Sequence, residues 1–308
     1  MIYGGGSLTY LSTAMHHEHS PVALPLASKP SLRYNLLVMS SLKRSGSAIG
    51  ASRPALFYER WRFRSIRLRE ERLLRELRAR QEAQIIVNYL RARDSLLDSL
   101  CDKHGSDKGG NSLSTQRFAW KHHTYTDFLS LLFEPTRQHV KLVFECGIGT
   151  NNLSIRSNMG LGGIPGASLR VWRDYFPNAK IIGADIDESV LFEEDRIQTY
   201  ALDQRISESV EEMWKKVGRS GFDLMIDDGL HAFEAGKTLF LGSVDRLAPN
   251  GRYIIEDVFH DDMIRYMDFF SNLDFRVDFV SLVRPRESGI CEPIGNNQLI
   301  LIRHPETK

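Results

Sequence analysis

Two short stretches carry the ionisable residues best placed to do chemistry together. FDLMIDDGLH (222–231) ends an apolar run on Asp227, Asp228 and His231, and RYIIEDV (252–258) ends another on Glu256 and Asp257. Adjacent strands lie about 4.8 Å apart, so if the two runs are neighbours, Asp228, Glu256 and Asp257 can share one cation. Carboxylates crowded without positive charge would force some of them to stay protonated. A divalent ion removes that repulsion. All-oxygen donors favour Mg²⁺, with Mn²⁺ or Ca²⁺ as alternatives, and Mg²⁺ keeps positions for water or for two neighbouring substrate hydroxyls. Histidine titrates near neutrality, so His231 is suited to accept a proton from a hydroxyl polarised by such an ion. Asp227 has a second reading, as the cap of a helix starting near His231.

These residues need a scaffold that brings strand ends together. From Lys108 onward, short apolar runs alternate with amphipathic stretches such as SLRVWRDYF and SVEEMWKKV. The runs are KLVFECG (141–147), KIIGADID (180–187), RIQTYALD (196–203), FDLMIDD (222–228) and RYIIEDV (252–258). That alternation predicts an α/β, doubly wound, mostly parallel sheet covered on both faces. Two last runs, DFRVDFVSLV (274–283) and NQLILIRH (297–304), have no helix between them and read as a closing antiparallel pair. The expectation is seven strands.

Ligands of such folds bind beyond the carboxyl ends of the strands. After the first strand, ECGIGT places Gly147 and Gly149 where the backbone can turn tightly and approach a ligand. A dinucleotide fingerprint would need Gly or Ala at 152, where this chain has Asn152. After the second strand, Asp185 suits ribose hydroxyls; after the third, Asp203 and Gln204 sit at the height of an adenine edge. Asp187 is an alternative metal ligand, and His122 with His123 an alternative transition-metal pair. Cys146 reads as a small buried residue. The glycine-rich stretch 151–167 is long for a strand-to-helix turn and reads as a flap over the cofactor or acceptor; it leaves the roles of Asn151 and Asn152 open.

The N-terminal third has another character. No acidic residue occurs from Ser20 to Tyr58, and Pro, Ser, Gly and Ala abound, so residues 1–58 read as a disordered leader. Residues 59–104 lack Gly and Pro until the end and are rich in Arg, Glu, Leu and Ala, which predicts a long helical extension. Nine arginines face three glutamates between Arg60 and Arg80, yet Ile66, Leu73, Leu77, Ile86, Leu90 and Leu97 recur at sevens and fours. That stripe implies packing on the main domain or pairing in a homo-oligomer. Net charge is +1 over 308 residues, and no apolar run is long enough to cross a bilayer. Three cysteines (Cys101, Cys146, Cys291) without CxxC spacing predict neither a disulfide framework nor a zinc site, and a reducing, cytoplasmic setting.

The order E-x-G-x-G, then an acid ending the second strand and another ending the third, resembles class I S-adenosylmethionine-dependent methyltransferases over residues 105–308. Within that group the chain is similar to the metal-dependent sugar O-methyltransferases of macrolide biosynthesis. KHGSDKGG (103–110), HTYT (123–126), FECGIGT, GASLRVW (166–172) before YFP (175–177), GADID, IDDGLH and IIEDV carry the likeness. The resemblance implies S-adenosylmethionine and Mg²⁺ or Mn²⁺ as cofactors and a sugar or glycoside as acceptor. It places Asp228, Glu256 and Asp257 on the metal and His231 as general base. Glu145, Gly147, Gly149, Asp185, Asp203, Gln204 and Asp227 fall to the cofactor, with His123 and Tyr125 by the cofactor or at the active-site mouth. Two competing classes are an RNA methyltransferase that grips its substrate through Arg67, Arg69 and Arg72, and a non-catalytic scaffold assembled through the helix.

Overall fold

The computed structural model describes residues 95–109, 118, 120, 122–282 and 297–305, together with the exposed, helical Leu68 and Arg72. The leader 1–58, Cys291 and most of the expected helical extension lie outside the described residues. Among the described residues, no helix is long and apolar enough to cross a membrane.

One sheet organises the described chain. Its strands are β1 (Leu142–Cys146), β2 (Lys180–Asp185), β3 (Glu193–Glu194), β4 (Ile197–Ala201), β5 (Phe222–Asp227), β6 (Leu247–Ile255), β7 (Arg276–Ser281) and β8 (Gln298–Arg303). They lie in the order β3-β4-β2-β1-β5-β6-β8-β7. β4, β2, β1, β5 and β6 run parallel, whereas β8 pairs antiparallel with β6 and with β7. The doubly wound sheet and its antiparallel closing pair are as expected; the count is eight instead of seven. The additional strand is the two-residue β3, an edge ribbon on β4 whose charged EE sequence carries no apolar signal.

The helices are α1 (Leu96–His104), α2 (Tyr125–Phe133), α3 (Ala167–Tyr175), α4 (Ser207–Val217), α5 (Phe233–Ser243) and α6 (His260–Phe270). Strand alternation sorts the core into two layers. Phe144, Ile182, Met225, Tyr253 and Ile300 pack in one layer with Trp214 of α4, Phe240 of α5 and Phe270 of α6. Val143, Ile181, Leu224, Ile254 and Leu301 pack in the other with Leu97 of α1, Phe133 of α2 and Trp172 of α3. All five parallel strands are therefore clad on both faces, which is why they read as continuous apolar runs.

α1 is the end of the predicted helical extension, and its apolar side is core: Leu97 and Cys101 are fully buried. It begins with a reciprocal capping box between Ser95 and Asp98 and stops at Gly105, whose φ of 79° provides the left-handed cap. Asp98 also accepts a hydrogen bond from Thr126 Oγ1, tying α1 to α2. At the other end of α1, Asp174 of α3 accepts from Lys103 Nζ and pairs with His104 Nε2, each at 2.8 Å, and takes Arg173 Nε at 2.9 Å.

Burial would raise the Asp174 pKa, but those hydrogen bonds outweigh it and hold the carboxyl below the usual range. A depressed carboxylate pKa stabilises the fold above its unfolded value and loses that effect as pH falls through the folded one. We predict that Asp174→Asn lowers the melting temperature at pH 7 by a few degrees, corresponding to about 1 kcal/mol for a partly exposed network. In pH-resolved thermal melts the gap to wild type should persist to about pH 4 and close below it.

Candidate active site

The strand order reverses at β1, with β2 on one side and β5 on the other. A cavity of about 570 Å³ opens over the carboxyl ends at this switch point. Its wall includes Gly147, Gly149, Asp185, Asp203 and Gln204 toward one end, and Asp228, His231, Glu256 and Asp257 toward the other. Most of the residues singled out from the sequence thus line one space.

The glycine turn is shaped by close backbone approach. Gly147 has φ +87°, and a Cβ there would lie 2.1 Å from the carbonyl oxygen of Asp228. Asp185 holds the same turn: its Oδ2 accepts from the amides of Ile148 (2.9 Å) and Gly149 (3.2 Å). Gln204 links the adenine-side loop to the β5 end, with Oε1 accepting from Leu230 N at 2.8 Å and Nε2 donating to Asp227 Oδ1 at 3.0 Å. Asp203 is bound by Arg205 at the rim. The stretch after Gly149 forms one wall of the cavity. Asn151 Nδ2 donates to the carbonyls of Gly160 and Gly163, closing that loop on itself, while Asn152 caps the turn at Ser154.

Pleating explains why neighbouring carboxylates part company. Register pairs Cys146 with Asp227 and Asp227 with Ile255, so these three side chains share a face. The next residues on β5 and β6, Asp228 and Glu256, point with Glu145 to the opposite face. Asp227 accordingly sits 4% exposed beneath the cavity and does not line it. Its Oδ1 accepts from Gln204 and from Gly229 N, and burial pushes its pKa up to about 6 against the opposing Gln204 bond. Nor does it cap a helix, since α5 begins after Ala232 without a side-chain cap. Glu145 is likewise below the wall, fully buried, with Trp172 Nε1 donating to it at 2.9 Å. Both carboxylates fix groups that line the cavity.

At the catalytic end, ligand atoms of Asp228, His231 and Asp257 lie within 4.8 Å of one another. Strict alternation would send Asp257 away from Asp228. It is brought back by a left-handed backbone, φ 52°, and His231 has φ 53°. Two such non-glycine residues in one site are strain held by the surrounding structure. Asp257 is gripped from the side opposite His231: Tyr125 Oη donates to its Oδ1 at 2.7 Å, and His123 Nε2 stands 3.4 Å from the same oxygen. His123 stacks on Tyr125 with ring centroids 4.7 Å apart. Burial would raise the Asp257 pKa, but His123, His231 and the Tyr125 bond hold it below its usual value. His231 Nε2 lies 3.8 Å from Asp257 Oδ2.

Glu256, expected as a third metal ligand, stands outside this donor cluster. Its Oε2 is bound by Lys108 Nζ, which also donates to Asp228 Oδ2 at 2.7 Å and pairs with Glu145 Oε1 at 3.0 Å. Lys108 is 2% exposed, and no role was read for it from the sequence. The signal was there: KHGSDKGG sets a lysine between a helix stop and glycines. Gly105 ends α1, the segment 107–108 accepts backbone bonds from His123 and Thr126, and Gly109 fits against Thr126, where a Cβ would collide. One loop thereby delivers Lys108, His123 and Tyr125 together.

Asp187 is bound by Thr150 Oγ1 and Ser189, away from the donor cluster, and neither His122 nor His123 belongs to it. Cys146 is buried, and burial raises its thiol pKa well above the usual value.

The donors present fit a divalent cation. Glu145, Asp228, Glu256 and Asp257 set four carboxylates against a single lysine, and Glu256 Oε1 is buried without a hydrogen-bond partner. Burial and the neighbouring Asp228 and Glu145 push the Glu256 pKa well up despite Lys108. The local charge balance calls for another positive charge.

The sheet order, the glycine turn and the acids at successive strand ends together make a Rossmann-like methyltransferase fold. Over about half of its length the chain is a homologue of sugar O-methyltransferases. It is 32% identical over 162 residues to the 8-demethyl-8-α-L-rhamnosyl tetracenomycin-C 2'-O-methyltransferase of Streptomyces olivaceus, covering 53% of this chain and 37% of that protein. It is 31% identical over 177 residues to the mycinamicin VI 2''-O-methyltransferase of Micromonospora griseorubida, covering 56% of this chain and 42% of that protein. The chain therefore spans about two fifths of these curated relatives. Among solved structures, a methyltransferase from the mycinamicin biosynthetic pathway, in complex with Mg, S-adenosylhomocysteine and mycinamicin VI, aligns at 20% identity with a TM-score of 0.47, covering 70% of this chain and 56% of that one. No family model matches the chain.

The Gly147 geometry makes a local test. Gly218 also has a positive φ (62°), but a Cβ there would meet nothing within 4 Å. Gly147→Ala should therefore lower the melting temperature well beyond Gly218→Ala, which carries only the roughly 1 kcal/mol cost of a left-handed alanine. Parallel thermal melts of the two variants check this; equal shifts would mean that the contact with Asp228 is not tight.

Proposed function

We propose that this chain is an S-adenosylmethionine-dependent, divalent-metal-dependent O-methyltransferase acting on a hydroxyl of a sugar or glycosylated metabolite. The observation that carries the reading is the convergence of Asp228, Asp257 and His231 within 4.8 Å, in the same cavity as the Gly147–Gly149 turn. The names of the relatives, all O-methyltransferases of glycosylated compounds, support the same acceptor class.

Asp228 and Asp257 are the residues to hold the ion, with Glu256 adding charge through its partnerless Oε1. When bound, a divalent ion there supplies Lewis acidity to neighbouring acceptor oxygens, and S-adenosylmethionine supplies a sulfonium-bound methyl group. Asp203, Gln204 and the Gly147–Gly149 backbone line the nucleoside end of the cavity. Asp185, at the end of β2, keeps that backbone in its turn and leaves its carboxylate within reach of ribose hydroxyls.

His231 accepts the acceptor's hydroxyl proton as the oxygen attacks the methyl carbon, and the C–S bonding pair returns to sulfur, which leaves neutral. Asp257, 3.8 Å from His231 Nε2, stabilises the imidazolium that forms. Tyr125 and His123 hold Asp257 in place for that task. The remaining contribution is alignment of oxygen, methyl carbon and sulfur by the cavity wall.

His231→Ala should lower kcat by about 10²- to 10⁴-fold while S-adenosylmethionine binding, followed calorimetrically, stays within a few fold. EDTA should abolish transfer of labelled methyl to a glycoside panel, and Mg²⁺ or Mn²⁺ should restore it. Full activity in chelator would remove the metal from this account.

A further inference from the structure

The carboxylates at the ends of β1, β5 and β6 outnumber the donors that one small cation can use, and something must decide which of them it meets. We propose that Lys108 is a positioning residue that partitions these carboxylates, taking Glu145, Glu256 and one oxygen of Asp228 for itself and leaving Asp257, His231 and the rest of Asp228 to a single divalent ion.

The geometry is specific. The Lys108 ammonium is 2% exposed and meets three carboxylates from three adjacent strands: Asp228 at 2.7 Å, Glu145 at 3.0 Å, and Glu256. An ammonium has three donors, so the set is saturated. Burial alone would lower the lysine's pKa, but Asp228, Glu145 and Glu256 reverse this and hold it charged. Glu256 shows the consequence, since it is adjacent to Asp257 in sequence yet absent from the donor cluster that Asp228, His231 and Asp257 form. The lysine is a fixed, non-exchangeable cation of one charge, and the divalent ion is the exchangeable one. Together they oppose four carboxylates with three positive charges.

Removing the lysine charge should therefore do two things that a merely structural residue would not. Glu256 and the second Asp228 oxygen become available to the ion, and a neighbouring positive charge disappears, so cation affinity should rise by about tenfold or more. The protein stripped of metal should lose stability, because several buried carboxylates are left unpaired.

The part of the inference concerning the ion rests on the metal site of the proposed function; the pairing of Lys108 with the carboxylates does not. The test measures Mn²⁺ binding by electron paramagnetic resonance and calorimetry, with thermal melts in chelator, on full-length wild type, Lys108→Met and Lys108→Met/Glu256→Gln. We expect one Mn²⁺ on wild type, at least tenfold tighter binding on Lys108→Met, and a lower melting temperature for Lys108→Met that the double variant partly recovers. Wild-type binding with unchanged or weaker binding by Lys108→Met would overturn the partition while sparing the metal site. No Mn²⁺ on wild type would overturn both the metal site and the partition of donors. If Lys108→Met does not fold in chelator, folding of the double variant supports the pairing, and failure of both variants to fold overturns it.

Discussion

A buried ammonium among carboxylates is the constraint on which this site depends. Glu145, Asp228 and Glu256 end three neighbouring parallel strands, and register points all three to the same face. Left unpaired there, they would protonate or open the sheet ends to water. Lys108 allows them to remain close, and the loop that brings it is the same loop that places His123 and Tyr125 against Asp257. The electrostatics of the site and the docking of α1 and α2 onto the sheet are one problem with one solution.

Backbone geometry does the remaining work. A period of two lets Asp227 and Asp228 serve opposite faces, one fixing Gln204 and the Gly229 turn from below, the other facing the cavity. Asp257 and His231 escape the period through left-handed conformations, which is how residues from two strand ends and a loop converge on one point. Positive φ at Asp and His is tolerated better than at branched residues, so the residue types needed for chemistry are also compatible with the turn.

Much of this was legible in the sequence because the signals were local. Apolar runs separated by amphipathic stretches marked the parallel strands, and the acids and glycines following them marked the cavity wall. The two-residue β3 was not legible, since an exposed charged ribbon has no hydrophobic pattern. Neither was the fate of Asp227 or Glu145, because whether a carboxylate faces the cavity depends on register, which is set by partner strands. Lys108 lies 120 residues from Asp228 and 148 from Glu256 in the chain. A contact over that distance follows only once α1 is seen to end at Gly105 and the chain to return along the sheet face.

The central claim is that one crevice holds a nucleoside, a divalent ion and a base in working order. Crystals grown with S-adenosylhomocysteine and Mn²⁺ test it most directly through anomalous scattering at the manganese edge. The account predicts a single manganese peak in coordination contact with Asp228 and Asp257, with the homocysteine sulfur facing His231 across the same cavity. A peak bound elsewhere, or the nucleoside bound with no manganese beside Asp228, would contradict it.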